Sequence, residues 1–235
     1  MNYLLKTSLA LGLISGLAVA GCGKKDAEQA AQKAKNEINT HENPAMVETA
    51  TFASECVPSA NTIAKLVYPG TKYLYDLSSL KFTKKQIFYS DRNCKAGTEG
   101  YLIQETGTID IKGPSTIVTN AFDEDFSFDH TYIYVVNDDA AKLFNLVGIC
   151  GYSDHEKDAA NNKPWVAGSA NQKDVSSRAG LENCPGKQSP RPAPVPEIVL
   201  KEQNNTVLYF GSNVDGDVSK GRPTTLNREQ KFIKQ

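Results

Sequence analysis

A surplus of charge of either sign is missing from this 235-residue chain. Lysine plus arginine total 26 against 27 aspartates and glutamates, a net charge of −1. With no cation excess to neutralise phosphates, the balance argues against a nucleic-acid binder. Long apolar runs are missing too. The stretch Leu9 to Val19 falls well short of the roughly 20 apolar residues that a membrane-spanning helix needs. There is no Cys-x-x-Cys, and His41, His130 and His155 are scattered, so neither a zinc site nor a thiol redox site is supported. Gly-x-Ser-x-Gly, His-Glu-x-x-His and a phosphate-binding glycine loop are all missing. No nucleophile is identifiable, and the chain is read as non-enzymatic, without a metal or cofactor. A hydrolase with an unrecognised site is the weakest of three functional readings.

What is present begins with an address. Lys6 supplies a positive n-region and Leu9 to Val19 an apolar h-region. The run ends in Val19-Ala20-Gly21-Cys22, which resembles the lipobox of bacterial lipoproteins. Residues 1–21 are therefore expected to be a signal peptide, and Cys22 the acylated N-terminus of the mature chain. One acyl chain holds a protein to a bilayer only marginally, whereas two or three hold it stably. Gly23 stands where an aspartate would signal inner-membrane retention, so the expected location is the outer membrane, lipid-anchored and facing the periplasm.

Residues 22–51 read as a tether. Ala27, Ala30, Ala31, Ala34 and Ile38 share one helical stripe, and Asp26 with Gln29 has capping-box spacing. Alanine buries little, so a marginal solvent-exposed helix is expected, stopped at Asn43-Pro44. Fully extended, such a tether reaches about 100 Å.

From Phe52 the pattern changes. Tyr73-Leu-Tyr75, Gln86 to Tyr89, Tyr101 to Ile111, Thr131 to Val136, Ile198 to Leu200 and Val207 to Phe210 are strand-like. Gly107, Ile109 and Ile111 alternate with Thr106, Thr108, Asp110 and Lys112; Ile133 and Val135 alternate with Tyr132, Tyr134 and Val136. Turn residues separate the runs. Residues 52–235 are expected to form one mainly β domain, an antiparallel barrel or sandwich. Ile63 to Tyr68 and Lys142 to Val147 are short helices or strands. Asn161 to Pro196 is polar, ending in a proline-rich connector from Gln188 that is expected to be extended.

Beyond Cys22, four cysteines remain: Cys56, Cys94, Cys150 and Cys184. An exported domain meets an oxidising compartment, so two disulfides are expected. Three connectivities are open; Cys56–Cys94 with Cys150–Cys184 is preferred as nearest in sequence and uncrossed. Two acidic groups, Asp123-Glu124-Asp125 with Asp129 and Asn213, Asp215 and Asp217, lack the EF-hand order and read as turns between strands. His155-Glu156 reads as surface loop, and His130 as a residue at a strand start able to orient a partner.

Aromatic residues are the remaining signal. Ten tyrosines and nine phenylalanines accompany a single tryptophan. Most strand aromatics belong to cores and cross-strand pairs. An eight-stranded barrel also has room for one small ligand, and such pockets are mostly apolar and aromatic. Tyr73, Tyr75, Phe88, Tyr101, Tyr132, Tyr134 and Tyr209 are the candidate ligand-lining residues.

Three stretches together carry a resemblance. They are Phe88-Tyr89-Ser-Asp91-Arg-Asn-Cys94 followed by Gly107-Thr-Ile-Asp-Ile; Asn145, Cys150-Gly151, Trp165 and Cys184; and Leu208-Tyr-Phe-Gly211 followed by Gly221-Arg222-Pro223-Thr224 and Leu226. In this order they resemble the domain of the adenomatosis polyposis coli down-regulated protein family, over about residues 55–235. The resemblance implies a lipocalin-like (calycin) β-barrel. Animal members bind lipid-modified signalling proteins, a role that does not transfer directly to a bacterial lipoprotein. What it implies here is an apolar pocket able to take an acyl chain, with Arg222 closing the barrel by packing and hydrogen bonding. The expected function is therefore a lipid-anchored envelope protein whose barrel binds a small apolar ligand, lipids among them. The alternative is a structural or protein-interaction module whose barrel its own side chains fill.

Overall fold

A computed structural model describes residues 49–63, 66–152, 164–181, 183–212 and 221–235. The chain divides into two units, Met1–Glu42 and Asn43–Gln235. The signal, Cys22, the tether helix and His41 lie outside the described residues, as do His155-Glu156 and Asn213, Asp215 and Asp217.

The described residues of the second unit form ten strands: β1 (Ala50–Ser54), β2 (Val57–Ile63), β3 (Leu66–Ser78), β4 (Lys81–Tyr89), β5 (Glu99–Pro114), β6 (Phe122–Val135), β7 (Lys173–Asp174), β8 (Val195–Glu202), β9 (Val207–Phe210) and β10 (Phe232–Lys234). The sheet order is β1-β10-β9-β8-β6-β5-β4-β3, and β1 pairs with β3 as well as β10. That second pairing closes an antiparallel barrel of eight strands; β2 and β7 hang off it, on β3 and β6. The fold is thus mainly β and lipocalin-like in architecture, as expected. Closure removes the unpaired edges that an open sheet would expose. The first strand starts at Ala50, two residues before the composition shift at Phe52.

Alternation decides which side chains enter the barrel. On β5, Glu105, Gly107 and Ile109 are buried while Thr108 and Asp110 are exposed, because successive side chains on a strand face opposite ways. On β6, Glu124, Phe126 and Phe128 point inward. There the pairing slips: Thr106 faces His130, but Gly107 faces Phe128, leaving Asp129 as an extra residue. This bulge turns the inward set from even to odd positions, so Thr131, Ile133 and Val135 are the buried residues beyond it. Gly107 is required at the bulge: a Cβ there would lie 1.9 Å from the Ser127 carbonyl oxygen and 2.8 Å from the Phe82 ring.

The acidic stretch Asp123-Glu124-Asp125 lies inside β6, and not in a turn between strands as its composition suggests. Strand pairing overrides the turn preference because the two outward aspartates gain a cation. Arg222 donates from Nη2 to Asp125 Oδ1 (2.5 Å), and its Nε lies 3.6 Å from Asp123 Oδ2. From Nη1 it also donates to the carbonyls of Glu124 (2.8 Å) and Glu197 (2.5 Å). One guanidinium so ties β6 to β8, strands that already pair; the barrel itself closes through β1 and β3, not through Arg222.

Lys142 to Val147 belongs to the single described α-helix, α1 (Asp138–Val147). Asn137 caps its start by accepting from the Ala140 amide (2.8 Å), and Gly148, at φ 70°, ends it. Ile63 to Tyr68 belongs to β2 and β3, with residues 64–65 between them undescribed. Two disulfides form, Cys56–Cys94 and Cys150–Cys184, the preferred pairing.

Candidate functional site

The barrel interior holds two aromatic clusters with different fates. At the end covered by α1, Tyr68, Phe88, Tyr101, Ile133, Val135, Phe144 and Trp165 pack into one buried core. Phe88 and Tyr101 stack with centroids 4.4 Å apart, and Phe144 lies 5.3 Å from both Tyr101 and Trp165. Asn145 holds the tryptophan in place. Its Oδ1 accepts from the Trp165 amide (2.6 Å), its Nδ2 donates to the Trp165 carbonyl (2.9 Å), and the indole N–H donates to the Ile149 carbonyl (3.1 Å). Every polar atom of that buried pair has a partner, which is the condition for burying it cheaply. This end is a plug.

Toward the other end the rings leave space. A cavity of about 250 Å³ is lined by Tyr73 and Tyr75 of β3, Lys84 of β4, Phe126 and Phe128 of β6, Arg191 from the connector before β8, Val195 and Glu197 of β8, Phe210 of β9 and Phe232 of β10. Gly211, Ser212, Asn227 and Gln230 also border it. Tyr75, Phe126, Phe210 and Phe232 form an aromatic wall, with Tyr75 4.5 Å from Phe210 and 5.2 Å from Phe232, and Phe126 6.1 Å from Phe210.

Opposite chemistry meets this wall. Glu105 of β5 is buried beside Lys84 Nζ (3.3 Å from Oε2), and its Oε1 accepts from Arg191 Nη2. The Arg191 guanidinium also lies over Phe128, its Cζ 3.4 Å from the ring centroid, a favourable cation–π position. Burial would raise the Glu105 carboxyl, but Lys84 and Arg191 outweigh it and hold the group below the usual range. Burial would lower the Lys84 ammonium; Tyr75 and Glu105 outweigh it and the ammonium stays charged. Glu197 behaves differently. Burial dominates and pushes it up to about 7, despite bonds accepted from the amides of Ile198 and Gly211 and the pull of Lys84 and Arg222. A Cβ on Gly211 would sit 2.4 Å from Glu197 Oε1, so glycine is what lets β9 approach this carboxyl.

Of the seven candidate ligand-lining aromatics, the cavity brings together Tyr73 and Tyr75. Phe88 and Tyr101 face inward but are spent in the plug. Tyr132 and Tyr134 point outward, because the Asp129 bulge puts Ile133 and Val135 on the inner face instead. Tyr209 packs on the outer face with Ile198, Leu200 and Val207, under Arg228. His130 stands within β6, exposed, with Nδ1 3.1 Å from Asp174 Oδ2.

Lys84, Glu105, Arg191 and Glu197 escaped the sequence reading. Three of them left a signal: Lys84 is in phase with Phe82 and Phe88, Glu105 with Gly107 and Ile109, and Glu197 with Val195 and Val199, so each charge sits on an apolar face. Arg191 left none, because the proline-rich connector has no period to place it.

No protein-family model and no curated protein matches the chain.

Proposed function

We propose that this protein is a lipid-anchored bacterial envelope protein whose lipocalin-like barrel binds a small apolar ligand, and that it acts by binding and not by catalysis. The observation that carries the reading is the cavity between Phe126, Phe128, Phe210 and Phe232 inside a closed eight-stranded barrel. Barrels of this size either fill with side chains or hold one small ligand; here one end is filled and the other is hollow. The kinship with the adenomatosis polyposis coli down-regulated family belongs to the same proposal. Its support is that Cys150, Trp165 and Cys184 meet in the plug, with Asn145 hydrogen-bonded to Trp165, and that Gly211 bridges to Leu226 beside Pro223. Attachment through acylated Cys22 to the outer membrane rests on the lipobox-like run.

The test is native mass spectrometry of the chain from residue 22 onward, carrying Cys22→Ser and exported behind a cleavable general signal. A co-purified apolar mass, or uptake of added fatty acid, is expected. Protein of bare chain mass that takes up no fatty acid would overturn the binding reading. A second reading, a structural module, is favoured by the cavity's volume, which falls below the about 300 Å³ at which common ligand pockets begin. The same bare-mass result would select it. For the anchor, Cys22→Ala is expected to release the protein from membranes in cell fractionation; unchanged membrane association would refute it.

A further inference from the structure

The cavity's charged side chains narrow the ligand class. Lys84, Arg191 and Glu197 line it. Two are cations, and the acid among them is held partly protonated at neutral pH by burial. Glu105, behind them, is shared between both cations, so one carboxylate answers two positive groups. Arg191 reaches Glu105 through Nη2. Arg191 and Lys84 are the two cations that line the hollow, and each already gives one contact to Glu105. Facing this cationic wall is the aromatic one of Tyr75, Phe126, Phe210 and Phe232. A wholly apolar ligand would satisfy the rings and leave the Arg191 guanidinium and the Lys84 ammonium facing hydrocarbon. A doubly charged one would have no second cation pair to meet.

Resting on the apolar-ligand reading above, we propose that the cavity takes a small monocarboxylate with an apolar body. Its carboxylate accepts from the Arg191 guanidinium and Lys84 Nζ, and its body lies against Phe126, Phe210 and Phe232. At the about 30 Å³ that one water occupies in the liquid, the hollow has room for a body of roughly eight heavy atoms. A medium-length acyl chain and an aromatic acid share this chemistry.

The experiment measures affinities by titration calorimetry on the same Cys22→Ser chain, unlipidated and free of detergent. The probes are octanoate, its neutral counterparts methyl octanoate and 1-octanol, the cation octylammonium, and 3-phenylpropanoate to separate aromatic from acyl bodies. A charged hydrogen bond in a dry site contributes about 1.5–3 kcal/mol, so octanoate is expected to bind about 10- to 100-fold more tightly than 1-octanol, with octylammonium weakest. If 3-phenylpropanoate is the tighter acid, the body is aromatic; if octanoate, acyl; both support the carboxylate assignment. Equal affinity for octanoate and 1-octanol overturns it while leaving the apolar-ligand reading standing. Binding of none of the probes removes both. Arg191→Met, which leaves Glu105 paired with Lys84, is expected to erase most of the acid-over-alcohol preference while 1-octanol affinity holds. A preference that survives in the folded variant overturns the role of Arg191, and the comparison of probes on the unmutated chain stands even where the variant does not fold.

Discussion

Glu197→Gln isolates the energetic cost of the acid in the barrel wall. Glu197 Oε1 accepts from the amides of Gly211 (2.8 Å) and Ile198 (3.1 Å), and glutamine can keep both bonds without a charge. In the folded protein burial raises the carboxyl from 4.5 to about 7. Between those values the folded state keeps a proton that the unfolded chain has lost, so stability falls as pH rises. The contribution is fully present below about 4.5 and gone above about 7. Working the linkage from about pH 5 to about pH 8.5 gives a loss of about 2.5 kcal/mol from this residue alone. The groups around it are Tyr75 on β3, Lys84 on β4, Glu105 on β5, Glu124 opposite it on β6, Arg191 and Arg222. Their own titrations are common to both proteins and cancel in the difference. Urea unfolding at the two pH values is the assay. The variant is expected to match the parent near pH 5 and to exceed it near pH 8.5 by about 2–3 kcal/mol, or about 5–10 °C in Tm. Parallel pH dependences for the two proteins would refute a buried, proton-holding Glu197.

Three further outcomes follow from the packing. Gly107→Ala drives a methyl into the Ser127 carbonyl and is expected to cost about 1–3 kcal/mol or more in thermal unfolding; a neutral effect would remove the tight bulge. Asn145→Leu strips both Trp165 backbone partners and is expected to cost about 2–4 kcal/mol, with a red shift in the emission of the single tryptophan. Replacing Cys150 and Cys184 by alanine opens a loop of 34 residues, expected to cost about 4 kcal/mol on the loop-entropy view; denaturant titration with intact Cys56–Cys94 as reference checks it.

The barrel was legible in the sequence because period-two alternation is a local property. Gly107, Ile109 and Ile111 share one face, and Thr108 and Asp110 the other, as their spacing implies. The cysteine pairing was legible for a similar reason: the nearest partners close first. The site was not, and the cause is geometric. Alternation tells which residues share a face but not which face is the inner one. One unpaired residue, Asp129, reverses the assignment along β6, so Tyr132 and Tyr134 end outside although their alternation with Ile133 and Val135 is real. Nor does a strand pattern say which end of a barrel is stoppered. Phe88 and Tyr101 face inward, yet α1 and Trp165, distant in sequence, fill the space beside them. Asp123 and Asp125 read as turn residues because their cation, Arg222, comes from about a hundred residues later.

The proposed binding site is the hollow between the four phenylalanines. A crystal structure of the Cys22→Ser chain grown with octanoate tests it most directly. Density for the acid is expected inside the barrel, with its carboxylate at hydrogen-bond distance from Arg191 and its chain against Phe126, Phe210 and Phe232. Rings collapsed into the hollow, with octanoate elsewhere or nowhere, would contradict it.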